Sequence, residues 1–370
     1  VEFLLKKKEF EKAAEKLVNV IPKKNIKPIL SGVKIFEEEG VLFFEATDME
    51  SSVKIKMGAY DLKGGGTYVV DAITLHDIAK NLLNDEVTFE LESNRATAHT
   101  GTGEVNIPIM NADDFPELDF SESGEQIGIN REKILNMIEK VIFCASKDEM
   151  VRNLNGVFWE FSGKYLRLVS ADSFRLALAE EQLFDDDAHD SIMFLIALKS
   201  MKEIQTFLKN SDEELFTISY DGKKIRLELG NIIFASRIVE SSFPDYKAVV
   251  PDSFKTRLVI KKGELLKSLR LINIITKEVG DTVKLDITDE RFLLTARSPD
   301  RGDAEIPLSV KKEGQDLKIA FDPAFLIEGI QHFDNEDLEL NFVDENSALQ
   351  INDLDLQGFV HIIMPVKLRT

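Results

Sequence analysis

The chain carries few side chains able to do covalent or metal chemistry, and their spacing argues against both. Its five histidines, His76, His99, His189, His332 and His361, share no common interval, and none has a partner at metal-ligand spacing. The single cysteine, Cys144, cannot make an intrachain disulfide and belongs to no Cys/His cluster. No zinc site is expected, and a reducing, cytoplasmic compartment is. The run Asp185-Asp186-Asp187, with His189 and Asp190 close behind, has the charge for a cation but lacks the glycine and closing glutamate of a calcium loop. It reads as a solvated acidic loop. Asp48 and Asp172 recur at matching strand exits, where aspartate bonds the backbone of its own turn. Gly64-Gly65-Gly66 is followed by neither Lys-Ser/Thr nor a helix, so it does not cradle phosphate. With no nucleophile elbow, dinucleotide fingerprint or distinctive carboxylate pair, the expectation is a chain without catalytic residues, metal or cofactor.

The elements that would position any site recur three times, about 125 residues apart. Helical patterns at Leu5 to Val18, Ile129 to Ile142 and Ile260 to Ile275 each precede a strand pattern. Those strands are Val41 to Asp48, Tyr165 to Asp172 and Arg291 to Arg297. A second helical pattern follows at Val70 to Leu82, Ile196 to Leu208 and Phe321 to Phe333. So long a period marks whole domains rather than solenoid turns. Phe10, Ala13, Ala14, Leu17 and Val18 form one apolar stripe, and Ile134, Ile138, Val141 and Ile142 another, so each helix buries one face. Alternating runs such as Ser52 to Met57 and Val87 to Leu91 suit half-buried antiparallel strands. Two repeats leave through a Phe-Pro step, Phe115-Pro116 and Phe243-Pro244, where proline cannot donate into a ladder. The expected fold is α+β, in three tandem similar domains at 1–121, 122–250 and 251–370. Each would pack two helices on antiparallel sheet.

A length of 370 residues accommodates three such units, and 44% hydrophobic residues supply ordinary cores. The start, Val-Glu-Phe-Leu-Leu-Lys-Lys-Lys, reverses the order of a signal peptide, and the apolar runs are too short to span a bilayer, so neither export nor membrane anchoring is expected. A net charge of −20 opposes polyanion binding as a sum. Its distribution does not. Lys6, Lys7, Lys8, Lys12 and Lys16 crowd the first helix, with Arg131, Lys133, Lys140, Lys147 and Arg152 in the second repeat and Lys261, Lys262, Lys267 and Arg270 in the third. Acid gathers elsewhere, at Glu37 to Glu39, Asp185 to Asp187 and Asp334 to Asp337. Helices sharing one side of the molecule would make that side far less negative than the rest, although solvated helix faces interspersed with Glu9, Glu11 and Glu15 give the same pattern.

Pro28-Ile29-Leu30 after a basic loop, Ala46-Thr47-Asp48-Met49-Glu50, Leu154-Asn155-Gly156, Ala171-Asp172 with Arg175-Leu176, Phe243-Pro244-Asp245-Tyr246 and Met364-Pro365-Val366-Lys367-Leu368 stand in order along the whole chain. Together with the threefold repeat, they resemble the bacterial DNA polymerase sliding clamps, the beta subunits of the replicative polymerase. The resemblance implies a head-to-tail homodimer closing into a six-domain ring, with helices lining the hole and strands forming the outer wall. Such a ring holds double-stranded DNA without reading bases. The implied DNA contacts are Lys24, Lys147 and Arg152, with Lys199 and Lys202 beside them; Asn153 follows Arg152 where the family commonly has an aromatic residue.

The resemblance also implies a hydrophobic cleft for short linear motifs of the replicative DNA polymerase, the clamp loader and repair or translesion polymerases. Its implied lining is Leu154, Phe174, Arg175, Leu176, Pro244, Val249, Phe325, Ile362, Met364, Pro365, Val366 and Leu368. Phe174 stands where a histidine is common, and Gly280 where an aromatic is. At the ring seam Val105 and Ile107 would face Ile274 and Ile275 of the other chain. Two other classes fit the composition: a hydrolase using the abundant carboxylates, opposed by the missing constellation, and a plain scaffold, opposed by the repeat-matched basic residues.

Overall fold

The computed structural model describes residues 1–23, 27–101, 103–122, 124–185, 189–276, 282–289, 291–354 and 358–367. Among these residues six α-helices punctuate an otherwise antiparallel β protein: α1 (Lys7–Val20), α2 (Ala72–Asn81), α3 (Arg131–Val141), α4 (Leu198–Lys209), α5 (Lys262–Ile272) and α6 (Pro323–Ile330). Each follows a strand almost without a loop. Strands Glu2–Lys6, Thr67–Asp71, Glu125–Asn130, His189–Ala197 and Thr256–Lys261 run straight into α1 to α5, and Leu317–Phe321 reaches α6 through Asp322 alone. The helical patterns in the sequence therefore begin too early: Leu5, Val70, Ile129, Ile196, Ile260 and Phe321 are the ends of strands. These residues are all buried, so the period-two and period-3.6 patterns merge where strand and helix feed one core.

The helix starts are satisfied in two ways. Asp71 and Asp322 cap α2 and α6, accepting from the Thr74 and Ala324 N–H groups at 2.8 Å each. At α1, α3 and α5 the first N–H donates instead to a backbone carbonyl of a neighbouring segment: Lys7 to Asp85 at 2.7 Å, Arg131 to Glu214 at 2.8 Å and Lys262 to Glu336 at 2.7 Å. The α1 stripe buries Phe10, Ala13, Ala14, Leu17 and Val20, and that of α3 buries Ile134, Met137, Ile138 and Val141. Asp48 and Asp172 close the turns expected of them. Asp48 Oδ1 accepts from Glu50 and Ser51 N–H at 2.9 and 2.7 Å, and Asp172 Oδ1 from Phe174 and Arg175 N–H at 2.8 and 3.1 Å.

The chain forms two compact units, Val1–Glu132 with Lys202–Ile238, and Lys133–Met201 with Val239–Thr370. The first holds a 13-stranded sheet in which strand Ile232–Arg237 from the middle of the chain pairs with Ser51–Met57. In the second, a 9-stranded sheet joins Arg175–Gln182 to Phe359–Ile363 in the same manner, beside a separate 4-stranded sheet. The middle repeat thus gives one sheet to each unit, a sharing that sequence periodicity does not reveal.

Two of the strand edges that lie open among the described residues carry a proline. Strand Glu104–Met110 pairs with Arg95–His99 along Glu104 to Pro108, but on its other side meets Thr67–Asp71 only at Ile109 and Met110. In the 4-stranded sheet, Gly302–Leu308 is an edge strand, paired only with Phe292–Ser298. Pro108 and Pro307 lie on these edges, where a missing N–H breaks no ladder bond.

Candidate partner cleft, DNA face and seam

The cleft residues converge within the second unit because of strand register. Pairing Arg175–Gln182 against Phe359–Ile363 sets Leu176 opposite Ile362 and, two residues on, Leu178 opposite Val360. On this floor a buried cluster forms from Val169, Ala171, Leu176, Tyr246, Ala348 and Ile362, with Leu154, Phe158, Phe243 and Val250 packed against it. The C-terminal segment is docked: Met364 N–H donates to the Phe174 carbonyl and Val366 N–H to the Ala320 carbonyl, each at 2.8 Å. Around the floor, Phe174 (58% exposed), Met364 (45%), Val249 and Val366 turn large apolar surfaces to solvent. Apolar residues scattered singly need no explanation, but here they rim a shared hydrophobic floor, as at a docking site. Pro365 is half-buried, Pro244 is exposed on the linker, and Leu368 lies outside the described residues.

Arg175 occupies a different place from the one its cleft assignment suggests. Its side chain is buried, and each guanidinium nitrogen is bonded: Nε to Asp172 Oδ2 at 3.1 Å, Nη1 to Glu328 Oε2 at 2.6 Å and Nη2 to the Phe143 carbonyl at 3.4 Å. It lies 4.4 Å from the Phe325 ring centre, and Phe325 stacks on Phe174 at 6.0 Å. Arg175 therefore ties the start of its strand to α6 and backs the aromatic pair. Burial lowers its pKa, and the Glu328 and Asp172 bonds more than reverse that, so the guanidinium stays charged.

Beneath the floor, His361 is fully buried, with Nδ1 3.0 Å from the Leu176 carbonyl. Desolvation pushes its pKa down to about 3, so the ring is neutral and Nδ1 donates. Cys144 is likewise buried, and burial raises its thiol pKa well above the ordinary value, making it an inert core residue.

Two residues that the motifs do not single out, Glu160 and Lys247, organise the cleft's linker side together with Tyr246. The Tyr246 hydroxyl donates to Glu160 Oε2, and Lys247 Nζ donates to Glu160 Oε1 at 2.8 Å. Glu160 is buried; desolvation raises its pKa, but the Lys247 and Tyr246 bonds outweigh this and hold it below the usual carboxylate value. Its signal in the sequence is an acid inside the apolar run Val157-Phe158-Trp159-Glu160-Phe161, where a buried charge requires partners.

The cationic residues separate by environment. Lys147 and Arg152 are exposed on the loop between Cys144 and Gly156, which Asn155 Nδ2 closes by donating to the Ser146 carbonyl at 2.7 Å. On α4, Lys199, Lys202, Thr206 and Lys209 fall along one helical stripe, while the acid of that helix, Glu203, is buried. Lys209 continues the stripe that the expected Lys199 and Lys202 begin, and its spacing from Lys202 is the signal for it. Of the remaining expected basic positions, Lys133 pairs with Glu181 at 2.7 Å, Lys140 with Asp334 at 2.5 Å, and Lys16 is buried. Lys24 lies outside the described residues.

At the expected seam, Val105 and Ile107 share one face of an open-edged strand, but Val105 is 39% exposed and Ile107 only 2%. Ile107 is a core residue of the chain by itself. Just beyond α5, Ile274 is exposed and Ile275 half-buried. Among the described residues no helix is long and apolar enough to cross a membrane, and no group of three His, Cys, Asp or Glu side chains is placed to hold a metal.

Three family models match in succession. They are described as the DNA polymerase III beta subunit N-terminal domain over residues 1–119, central domain over 128–245 and C-terminal domain over 247–367. The beta sliding clamp of Vibrio cholerae is 26% identical over 342 residues, covering 92% of this chain and 93% of that protein. That of Escherichia coli is 25% identical over 342 residues with the same shares. Among solved structures, the DNA polymerase III beta subunit of Thermotoga maritima is 38% identical with a TM-score of 0.94, each chain covered in full. Matched from end to end in all three domains, the chain belongs to the DNA polymerase III beta subunit family.

Proposed function

We propose that this chain is a DNA sliding clamp, a non-catalytic processivity factor that encircles duplex DNA as a head-to-tail homodimer and tethers the replicative polymerase. The observation that carries this reading is the unbroken succession of the family's three domains along the chain. We place the domains at 1–121, 122–250 and 251–370, and the protein in the cytoplasm.

In this reading α4 presents its lysines to the DNA backbone, with Lys147 and Arg152 reaching it from the loop and Lys24 from the first domain. Contacts to phosphate alone give binding without sequence preference, and retention comes from closure of the ring. The open edges of Glu104–Met110 and Gly302–Leu308 are the surfaces that a head-to-tail contact joins, one from each chain, with Val105 against Ile274 and Ile275 at the seam. The floor around Leu154, Leu176 and Ile362, rimmed by Phe174, Pro244, Val249, Phe325, Met364, Pro365, Val366 and Leu368, receives the linear motifs of polymerases and the clamp loader. Adaptable Met364 suits several partners at one site.

The test is mass and topology. Light scattering over a dilution series should give a particle of twice 41.8 kDa. Once loaded, it should remain on circular DNA and run off after linearisation. A strict monomer, or equal retention on both DNA forms, defeats the reading.

A further inference from the structure

The linker turn Tyr246–Val249 follows Pro244, buries Tyr246 in the floor cluster and leaves Val249 exposed, and in the proposed reading it is one wall of the cleft. A cavity of about 920 Å³ adjoins the turn, lined in part by Tyr246, Lys247, Val250, Leu178 and Val360, so it lies along the same sheet face as the floor. Besides the packing of the Tyr246 ring and Val250 on the floor cluster, one buried carboxylate, Glu160, crosses from the sheet to the turn and accepts from both the Tyr246 hydroxyl and Lys247 Nζ. Arg167 steadies that carboxylate at 3.7 Å and is itself bonded to Glu180. Asp245 begins the turn by accepting from Lys247 N–H at 3.2 Å, so two successive residues of one short turn are pinned to a single point on the sheet.

We propose that Glu160 is a positioning residue for partner binding: through Tyr246 and Lys247 it fixes the linker wall against the cleft floor without touching the bound peptide. This rests on the reading of the cleft as the partner site. A wall fixed beforehand lowers the ordering cost of binding, whereas a wall free to move adds to it. Tyr246 has a double part. Its ring belongs to the cluster with Leu176 and Ile362, while its hydroxyl makes the tether.

The experiment measures binding of a fluorescein-labelled peptide carrying the clamp-binding segment of a bacterial replicative polymerase to full-length protein and to Glu160→Gln, Tyr246→Phe, Lys247→Met and the Glu160→Gln/Tyr246→Phe pair. Loss of a charge-assisted bond to the wall should weaken binding about tenfold in Glu160→Gln, with the pair no weaker than the single variant because both break one tether. Amide exchange should quicken at 245–249 and stay unchanged in strands Gly156–Gly163 and Arg175–Gln182. Lys247 is largely exposed, so Lys247→Met keeps the test open if Glu160→Gln does not fold. If the unaltered protein binds no peptide, the cleft reading itself fails. If it binds, and the variants lower Tm while affinity and local exchange stay unchanged, the trio serves stability alone and the inference is overturned.

Discussion

Replacing Arg175 by methionine isolates the guanidinium while keeping most of the side chain's volume. Breaking a buried ion pair by removing one partner commonly costs about 3–5 kcal/mol, because the surviving charge is left unpaired. Here both survivors have recourse. Asp172 keeps its bonds from the Phe174 and Arg175 N–H groups at 2.8 and 3.1 Å, and the Glu328 side chain, 37% exposed, can rehydrate. The orphaned acceptor is the Phe143 carbonyl, and the Phe325 ring no longer has a cation over its face. The expected loss is therefore at or below the lower end, about 2–3 kcal/mol. Arg175→Lys, whose compact ammonium cannot span Asp172 and Glu328 together, should lose about 1–2 kcal/mol. Urea unfolding followed by tryptophan fluorescence reports on the right unit, since the sole tryptophan, Trp159, is buried there with its indole N–H 3.4 Å from Met201 Sδ. A loss under about 0.5 kcal/mol, the range of ordinary surface substitutions, would refute the tie between strand and α6.

Ile274→Ala combined with Ile275→Ala should convert the dimer to folded monomers of 41.8 kDa, measured by ultracentrifugation; a double mutant that stays dimeric removes these residues from the seam. Lys199→Glu with Lys202→Glu should weaken DNA binding evenly across sequences and reduce the slope of log K against log salt by about one for each phosphate the protein ceases to neutralise; an unchanged slope takes α4 off the DNA face. His361 titrates at 6.5 when unfolded and at about 3 in the fold because burial disfavours its charge. Below pH 6.5 the unfolded chain binds the extra proton, so this residue should withdraw roughly 1.4 kcal/mol of stability per pH unit down to its folded pKa. His361→Leu should flatten the wild-type slope between pH 6.5 and 5, and identical slopes would count against a neutral buried ring.

The repeat is legible because its landmarks are local. The apolar stripes of α1 and α3, the strands Val41–Thr47 and Tyr165–Ala171, and the turn aspartates Asp48 and Asp172 each follow from a few neighbouring residues. Helix starts read from the pattern fall two residues early because Leu5, Val70 and Ile129 lie in strands that face the same core as the helix they enter. What periodicity does not supply is pairing at long range. Nothing local announces that Ile232–Arg237 adds to Ser51–Met57, or that Leu176 meets Ile362. Residue type also understates the burial of charged side chains. Arg175, Glu160 and Lys16 read as surface residues by type and are inside the fold, two of them held by partners distant in sequence. Ile107 illustrates the converse, since a strand face cannot be divided into core and seam until its neighbours are known.

Three like domains might be expected to offer three like clefts, and the first two repeats show physically why they do not. With Asp48 matched to Asp172, Lys34, Glu45, Ser52 and Lys54 fall where the second repeat has Phe158, Val169, Leu176 and Leu178. In the second repeat these positions make the apolar floor, and the exit strap lays Phe243 on Phe158 at 5.1 Å. In the first, Lys34 binds Glu45 at 3.2 Å, Lys54 approaches it at 3.8 Å, and Lys34 lies 5.9 Å from the ring of the strap residue Phe115. Two positions along, the polarity is reversed: Phe36 stacks on Phe43 at 5.5 Å where the second repeat sets Glu160 by Arg167 at 3.7 Å. Each repeat thus carries one apolar and one charged rung on the same face, in opposite order. With the charged rung under the strap, the first repeat offers ion pairs where a docking peptide needs an apolar floor. The buried Glu45, its pKa raised by desolvation against the pull of Lys34, would be stranded by any ligand that drew the lysines away. Exchanging the two rungs is enough to keep the backbone repeat and leave only the second of these two straps over an apolar floor.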